Sequence, residues 1–386
     1  MSNHPDEGRD VIIIGGGPGG LSVRHMLHKF GLTTLLIERG AGVGARWSEH
    51  WDSVRLNSGR GISSLPGHRI PRQYGPWVSR DNFVQYLTQY SQMSGDPIEF
   101  GASVTRVDQA GRDWVVKTSA GEYSGTAVVL ATGLNGPAFV PEWAREGDFK
   151  GELVHVTQYK NSAPYAGRDV LVVGTGASAH DIALDLVNGG AGKVRVSVRT
   201  PPILAPKRML GFSSAALTYV TKHYLKLPST MLDKSSLNVH RRFFPEAEQY
   251  FGAPPTGMMT AFAERGHGVT MEIGLLDALK KGEVTTVPAV IRLDGDDVIL
   301  ADDQRIQPDV VVLATGQRAG ISSIVGHLGV LGTDGRPLVH GAETLEKAPG
   351  LHFIGYRLPG GQLPDMRYDA PAIAKRLRRE QRVRNA

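Results

Sequence analysis

A glycine-rich turn that occurs twice is the feature that most constrains the fold of this chain. The first copy, Gly-x-Gly-x-x-Gly at residues 15–20, follows a β-branched run at 11–14 and precedes a helix-like segment. The second copy, at residues 174–179, follows a similar run at 170–173 and carries Ala in the third place. The first glycine permits a tight turn, the second lets the backbone approach a pyrophosphate, and the third lets the helix pack closely on the strand. The repeat therefore predicts two dinucleotide-binding units.

The order of the predicted elements indicates an α/β fold with two Rossmann-like domains, one inserted into the other. Short β-branched runs, which are typical of buried parallel strands, occur at residues 11–14, 33–37, 170–173, 194–198, 284–287 and 310–313. An Ala-Thr-Gly turn follows a strand in each unit, at 131–133 and 314–316. We therefore expect the first domain to comprise 1–160 and 310–386, and the inserted second domain to comprise 161–309.

The residue at the end of each unit's second strand indicates which dinucleotide is bound. Glu38 ends that strand in the first unit, and its carboxylate suits the ribose hydroxyls of FAD. Arg199 occupies the equivalent place in the second unit, where a guanidinium binds a 2′-phosphate that a carboxylate would repel. We predict FAD in the first domain and NADPH in the second. The alternative for Arg199 is an exposed arginine at a strand end with no ligand.

The absence of cysteine limits where the electrons of the two cofactors can go. The chain has no cysteine, which excludes a redox cysteine pair, disulfides and thiolate metal sites. The electrons then pass to a protein or quinone acceptor or to O2, and motif spacing leaves both classes open. A flavin-binding module without catalysis is disfavoured, because it would have no use for Gly176 or Arg199. His223 and His240 are too scattered to indicate a metal site, so no metal is expected.

Charge and hydropathy add a few expectations. The net charge is +5, and basic residues concentrate at 375–384, which we interpret as a solvated helix end rather than a nucleic-acid surface. Residues 1–10 lack the apolar segment of a secretion signal, and no apolar run approaches the roughly 18 residues of a membrane span. We expect a cytoplasmic protein without a nucleic-acid or membrane partner, and a homodimer is compatible with the sequence.

The most specific pattern of the chain lies between the two turns and reads Phe149-x-Gly151-x3-His155-x3-Tyr159. It matches the signature F-x-G-x3-H-x3-[Y/F/W] of the class B flavin-dependent monooxygenases, and the chain resembles that family over nearly its whole length. The family includes YUCCA-type, N- and S-oxygenating and Baeyer–Villiger enzymes. The Gly-x-Gly-x-Ser-Ala-x-Asp stretch at 174–181 and the two Ala-Thr-Gly turns match it as well.

Two residues of this signature refine the resemblance. Type I Baeyer–Villiger enzymes usually carry Trp where this chain has Tyr159, and they are longer, which favours heteroatom oxygenation or YUCCA-like chemistry. His155 resembles an interdomain structural residue of the family, and a catalytic role is the alternative.

The resemblance implies an activity. NADPH reduces FAD, O2 adds at flavin C4a, and NADP+ stays bound to shield the C4a-(hydro)peroxyflavin from water. A small organic substrate then receives one oxygen atom. Baeyer–Villiger chemistry, YUCCA-like oxidative decarboxylation and an NADPH-linked flavin electron-transfer reductase stay open as alternatives.

The same resemblance points to the site residues. Arg46 and Trp47 lie in a stretch that is similar to the family's flavin-contacting segment, and Asn57 stands where many N- and S-oxygenating members carry an Asn near the flavin. Its amide would hold nicotinamide or peroxide, which makes Asn57 the predicted catalytic residue, and a turn-capping Asn is the alternative. The predicted cofactor-binding residues are Gly15, Gly17, Pro18, Gly19, Gly20, Glu38, Arg39, Arg46, Trp47, Asn57, Val104, Ala131, Thr132, Gly133, Gly174, Gly176, Ala177, Ser178, Ala179, Arg199, Thr315 and Gly316.

Residues 201–268 form an excursion that a minimal Rossmann domain does not need. They are rich in Met and aromatic residues, which argues against disorder, and helical spacing is present at 215–225. We expect a helical subdomain that covers the flavin, with Phe212, Tyr219 and Phe251 lining a pocket for an apolar or aromatic substrate. The alternative is that these side chains pack the subdomain's own core or a dimer contact.

Overall fold

The computed structural model describes residues 9–225, 227–266, 268–356 and 362–384. The strands are β1 (Arg9–Ile14), β2 (Thr34–Glu38), β3 (Ile98–Phe100), β4 (Val104–Ala110), β5 (Asp113–Thr118), β6 (Gly121–Leu130), β7 (Asp148–Phe149), β8 (Glu152–His155), β9 (Asp169–Val173), β10 (Lys193–Val198), β11 (Ile203–Pro206), β12 (Arg208–Met209), β13 (Phe212–Ser213), β14 (Val269–Glu272), β15 (Val284–Pro288), β16 (Val290–Gly295), β17 (Asp297–Leu300), β18 (Arg305–Ile306), β19 (Val310–Leu313) and β20 (Leu351–Phe353). The α-helices are α1 (Pro18–Lys29), α2 (Ala45–Ser48), α3 (Arg60–Ser63), α4 (Arg80–Ser91), α5 (Glu142–Arg145), α6 (Ala177–Asn188), α7 (Ser214–His223), α8 (Ser229–Phe243), α9 (Glu248–Phe251), α10 (Met258–Arg265), α11 (Leu275–Lys280), α12 (Ser322–Val325) and α13 (Gln362–Arg384).

The first sheet has seven strands in the order β3-β2-β1-β6-β5-β4, with β20 beside β6. β1 pairs in parallel with β2 and β6, so β1, α1 and β2 form the βαβ unit that the sequence predicts. β4, β5 and β6 form an antiparallel meander. Helix α13 packs on α1, and Leu21, Leu27, Ile373 and Leu377 share one hydrophobic core. The last helix of the chain therefore packs on the βαβ unit of the first sheet.

The second sheet has five parallel strands in the order β15-β10-β9-β19-β8. The expected domain boundaries at 160/161 and 309/310 cut through this sheet, because β8 and β19 pair with each other and β19 also pairs with β9. A β-branched run indicates that a strand is buried but not which sheet it joins. The pairing places β8 and β19 in the second domain. The predicted α/β class with two Rossmann-like domains is confirmed.

The excursion at 201–268 is mainly helical and has a small core of its own. β11 pairs in parallel with β14, which joins the two ends of the excursion. Helices α8 and α10 pack on β11 around Ile203, Leu232, Met258 and Ala261. β12 and β13 form a hairpin whose tip exposes Leu210 and Phe212. Over the ranges that the structure describes, no helix combines the length and the apolar character that a membrane span requires.

Candidate cofactor and substrate cavities

A cavity of about 500 Å³, here called the first cavity, opens where β1 meets α1. It lies at the carboxyl ends of β1, β2 and β6, which is where open α/β sheets bind ligands. Its wall contains many of the predicted cofactor-binding residues, namely Gly15, Gly17, Pro18, Gly19, Glu38, Arg39, Arg46, Trp47, Val104, Ala131, Thr132 and Gly133.

The three glycines of the first turn serve different purposes. Gly15 has a φ of 110°, a conformation that favours glycine. A Cβ atom at Gly17 would meet no other atom within 4 Å, so this stretch of backbone is open. A Cβ atom at Gly20 would lie 2.0 Å from the carbonyl oxygen of Gly15, so Gly20 permits the close packing of α1 on β1 beneath the cavity. The cradle fits a pyrophosphate, since it offers backbone N–H groups at a helix start and no obstructing side chain.

The carboxylate of Glu38 is held in a fixed orientation at the edge of the first cavity. Its Oε2 accepts a hydrogen bond from the backbone N–H of Gly16 at 2.6 Å, and its Oε1 accepts one from Gly40 at 2.7 Å. A carboxylate oxygen has more than one acceptor site. Glu38 can therefore anchor the turn and still accept a hydrogen bond from a ribose hydroxyl.

A second cavity, of about 380 Å³, lies at the start of α6. Gly176, Ala177 and Ser178 line it. Gly174 has a φ of 128°, and a Cβ atom at Gly176 would meet no other atom within 4 Å. Ala179 is fully buried beneath the turn. The second turn thus repeats the geometry of the first, and its open backbone fits a second pyrophosphate.

Six predicted cofactor-binding residues line neither cavity. Gly20, Gly174 and Ala179 shape the two glycine-rich turns, and the other three lie outside those turns. Arg199 directly follows β10 and is exposed. The Thr315 hydroxyl donates a hydrogen bond to the carbonyl oxygen of Phe139 at 2.5 Å. The carbonyl oxygen of Gly316 accepts one from Nε2 of His155 at 3.2 Å. Thr315 and Gly316 therefore fix the turn after β19 to neighbouring segments.

The two informative residues of the signature are buried and lie outside both cavities. Nδ1 of His155 accepts a hydrogen bond from the backbone N–H of Thr157 at 3.2 Å, so Nε2 carries the proton. Burial lowers the pKa of His155. The hydroxyl of Tyr159 donates to Asp185 at 2.7 Å, and its ring stacks on that of Tyr165. This geometry favours the structural interpretation of His155 over the catalytic one.

The two cavities share part of their walls, so the predicted FAD and NADPH sites lie next to each other. Five residues line both cavities, and we call them the shared wall: Trp47, His50, Asn135, Gln362 and Leu363. Asn57 lines the second cavity beside this wall. In the part of the chain that the structure describes, no residue hydrogen-bonds with its side-chain amide. The amide therefore does not cap a turn there and is available to a ligand.

Sequence reasoning missed His50 and Asp181 as site residues. Asp181 lies one turn into α6, lines the second cavity and makes no hydrogen bond with another described residue. Burial raises its pKa to about 7. The sequence signal that could have revealed Asp181 is its place in the stretch that contains the second glycine-rich turn. His50 is followed by Trp51, and no pattern in the sequence marks it. Among the described residues, no group of three or more His, Asp or Glu could hold a metal ion.

The side chains through which the excursion lines the second cavity are not the three that we expected. Ala215, Thr218 and Met258 line the second cavity, whereas Phe212, Tyr219 and Phe251 do not. Phe251 packs into the core of the second domain and stacks on His180 at 5.9 Å. Phe212 is 63% exposed at the hairpin tip. The expectation for these three residues was wrong, because composition and spacing did not reveal which face of each element meets the cavity.

Comparisons with known proteins agree with this geometry. The family described as pyridine nucleotide-disulphide oxidoreductase matches residues 12–229. The chain is 28% identical to a probable indole-3-pyruvate monooxygenase, YUCCA3 of Arabidopsis thaliana, over 96% of this chain and 87% of that protein. It is 29% identical to the indole-3-pyruvate monooxygenase YUCCA1 of Oryza sativa subsp. japonica, over 100% of this chain and 97% of that protein.

Solved structures extend the comparison to the fold. A flavin-containing monooxygenase from Stenotrophomonas maltophilia superposes with a TM-score of 0.72 at 25% identity, covering 97% of this chain and 99% of that one. A cyclohexanone monooxygenase superposes with a TM-score of 0.73 at 18% identity, covering 97% and 88%, and shares the fold. The chain therefore belongs to the pyridine nucleotide-disulphide oxidoreductase family and, within it, to the class B flavin-dependent monooxygenases that use FAD and NADPH.

Proposed function

We propose that FAD occupies the first cavity and NADPH enters the second, so that their reacting rings meet at the shared wall. The single observation that carries this proposal is that Trp47, His50, Asn135, Gln362 and Leu363 line both cavities. Hydride transfer needs the two rings in van der Waals contact, at roughly 3–3.5 Å between reacting atoms. Two ligands held in cavities that share a wall can reach that contact.

The residues of the chain bind, orient and exclude water, while bound FAD supplies hydride acceptance from NADPH and activation of O2. The start of α1 binds the FAD pyrophosphate through Gly17, and the start of α6 binds that of NADPH through Gly176. Glu38 accepts a hydrogen bond from the FAD ribose. Helix α13 begins at Gln362 in the shared wall, so the positive end of its dipole would favour an electron-rich ring bound there.

The second cavity also accepts the substrate, a small and largely apolar molecule. Its volume of about 380 Å³ is in the usual range for small-molecule sites. Apolar side chains dominate beside the shared wall, among them Trp51, Val54, Leu56, Met258 and Met271. They keep water from the reacting atoms, and the amide of Asn57 offers its NH2 group as a donor and its carbonyl oxygen as an acceptor to hold the group that receives oxygen.

A second candidate substrate class is an aromatic 2-oxo acid that is oxidatively decarboxylated. Two relatives are named indole-3-pyruvate monooxygenases, and Arg55 is a cation in the wall of the second cavity. A guanidinium pairs well with a carboxylate. Baeyer–Villiger oxygenation of a ketone is the third option. The candidate reactions therefore differ in the substrate atom that receives oxygen, and identifying that atom in the product distinguishes them.

Arg199 remains the proposed ligand of the NADPH 2′-phosphate. It is exposed directly beyond β10, where a bound adenosine ribose would lie. A cytoplasmic location and a homodimer stay predictions from the sequence.

The experiment that tests the proposed function is anaerobic stopped-flow absorbance followed by exposure to O2 with a substrate panel. We expect NADPH to bleach bound FAD without O2, and reoxidation with O2 to give an oxygenated product from a tertiary amine, a sulfide, a ketone or an aromatic 2-oxo acid. A protein that binds FAD but is not reduced by NADPH would contradict the proposed arrangement of the two cavities.

A further inference from the structure

His50 stands between the two domains in the shared wall. Its ring lies 5.5 Å from that of Trp47 and 5.3 Å from that of Trp51, measured between centroids. Trp47 packs against the core of the first domain, and Trp51 belongs to the core of the second. The backbone is fixed as well, because Arg80 donates a hydrogen bond to the carbonyl oxygen of His50 at 2.9 Å. The imidazole is therefore held in place at the meeting point of the cavities.

The ring nitrogens of His50 have no hydrogen-bonding partner among the residues that the structure describes. Burial, and then the nearby cation of Arg46, lower the pKa of His50 to about 4. Lys160 and Arg80 act in the same direction, and Glu49 opposes them. The imidazole is thus neutral at physiological pH, with one N–H donor and one unprotonated nitrogen. A ring nitrogen of this kind at a cavity wall is available to hydrogen-bond with a bound ligand.

We propose that the unprotonated ring nitrogen of His50 accepts a hydrogen bond from the carboxamide N–H of bound nicotinamide and so positions that ring at the shared wall. The inference rests on the proposed entry of NADPH into the second cavity. The carboxamide is the polar group of the nicotinamide ring, and it must lie where the two cavities meet if the ring is to touch the flavin. His50 is in this account a positioning residue for hydride transfer.

The test compares the binding of two oxidised dinucleotides to the FAD-loaded protein. One is NADP+, and the other is its 3-acetylpyridine analogue, in which a methyl ketone replaces the carboxamide and the N–H donor is lost. Dissociation constants are obtained by isothermal titration calorimetry. Because one hydrogen bond contributes about 1 kcal/mol, wild-type protein is expected to bind the analogue about fivefold more weakly. His50→Leu is expected to weaken NADP+ about fivefold and to leave the analogue unchanged.

Two further variants separate hydrogen bonding from packing. His50→Asn keeps an acceptor oxygen and is expected to restore discrimination between the two dinucleotides. His68→Leu is the matched control, because His68 is also half-buried and stacked on an aromatic ring, that of Tyr86, but lines neither cavity. It is expected to behave as wild type.

The results that would contradict these expectations can be told apart. If His50→Leu still binds NADP+ more tightly than the analogue, the hydrogen-bond acceptor is another group, such as Asp181, and the proposal is overturned. Equal weakening of both dinucleotides by His50→Leu and His50→Asn would assign His50 a packing role and overturn it as well. A wild-type protein that binds FAD but neither dinucleotide would contradict the proposed function itself.

Discussion

Replacing Gly17 with Val should separate cofactor binding from folding. Gly17 has a φ of −82° and a ψ of −173°, an extended conformation that Val adopts readily. A Cβ atom there meets no other atom within 4 Å. The free energy of unfolding of the apoprotein should therefore change by less than about 0.5 kcal/mol.

The same substitution should strongly weaken FAD binding, because the branched side chain occupies the space over the first turn of α1. If two hydrogen bonds to phosphate are lost, at about 1.5–3 kcal/mol each, the loss is at least about 3 kcal/mol, or more than about a hundredfold in affinity. Gly17→Val should purify colourless. Flavin absorbance per protein measures the FAD content, and thermal circular dichroism of the apoproteins measures stability.

Gly20→Ala is the matched control and should behave in the opposite way. Its Cβ atom would lie 2.0 Å from the carbonyl oxygen of Gly15, so α1 must move away from β1, at a cost of about 1–3 kcal/mol to the apoprotein. If Gly17→Val folds as wild type does and retains FAD at a one-to-one ratio, the assignment of the first cavity is refuted.

Three other predictions concern the proposed NADPH and substrate sites. Arg199→Glu should raise the KM for NADPH about tenfold or more while changing that for NADH little, and an unchanged ratio in steady-state assays would move the phosphate site to another cation. Asn57→Ala should leave flavin reduction by NADPH largely intact and increase hydrogen peroxide release at least severalfold in a peroxidase-coupled assay, whereas slow reduction with normal coupling would contradict its role. Burial raises the pKa of Asp181 to about 7 in the folded protein, so the folded state favours the protonated carboxyl and loses stability relative to a neutral residue as pH rises from about 4 to 8. Asp181→Asn should therefore raise the free energy of unfolding of the apoprotein by up to about 4 kcal/mol near pH 8, because one pKa unit corresponds to about 1.4 kcal/mol, and by little near pH 4. Denaturant titrations can measure the difference, and equal effects at both pH values would contradict the buried carboxyl.

Local sequence patterns were sufficient to predict those parts of the site that depend on local backbone geometry. Gly15, Gly17 and Gly20 lie within one turn, and their roles follow from backbone conformation and steric limits. The helices and strands around both turns lie where hydrophobic periodicity predicts them. These signals need no knowledge of distant contacts.

The remaining parts of the site depend on tertiary contacts. The shared wall combines residues from three distant stretches, for example His50, Asn135 and Gln362, and no spacing rule connects them. The β-branched run at 310–313 did not reveal which sheet takes β19, and no such run marked β8. The aromatic residues of the excursion gave the apolar character of the subdomain but not which of them face the cavity, so Phe251 entered the domain core instead.

Oxygen incorporation measured together with stoichiometry tests the central claim most directly. The FAD-loaded protein is supplied with NADPH, 18O2 and the substrate that gives product, and the three amounts are followed with an oxygen electrode, absorbance and mass spectrometry. If the two cavities serve a monooxygenase, we expect one NADPH and one O2 to be consumed per product molecule, and one labelled oxygen atom to appear in that product. NADPH oxidation that reduces a quinone or an artificial acceptor, with no label in any product, would contradict it and identify an electron-transfer reductase instead.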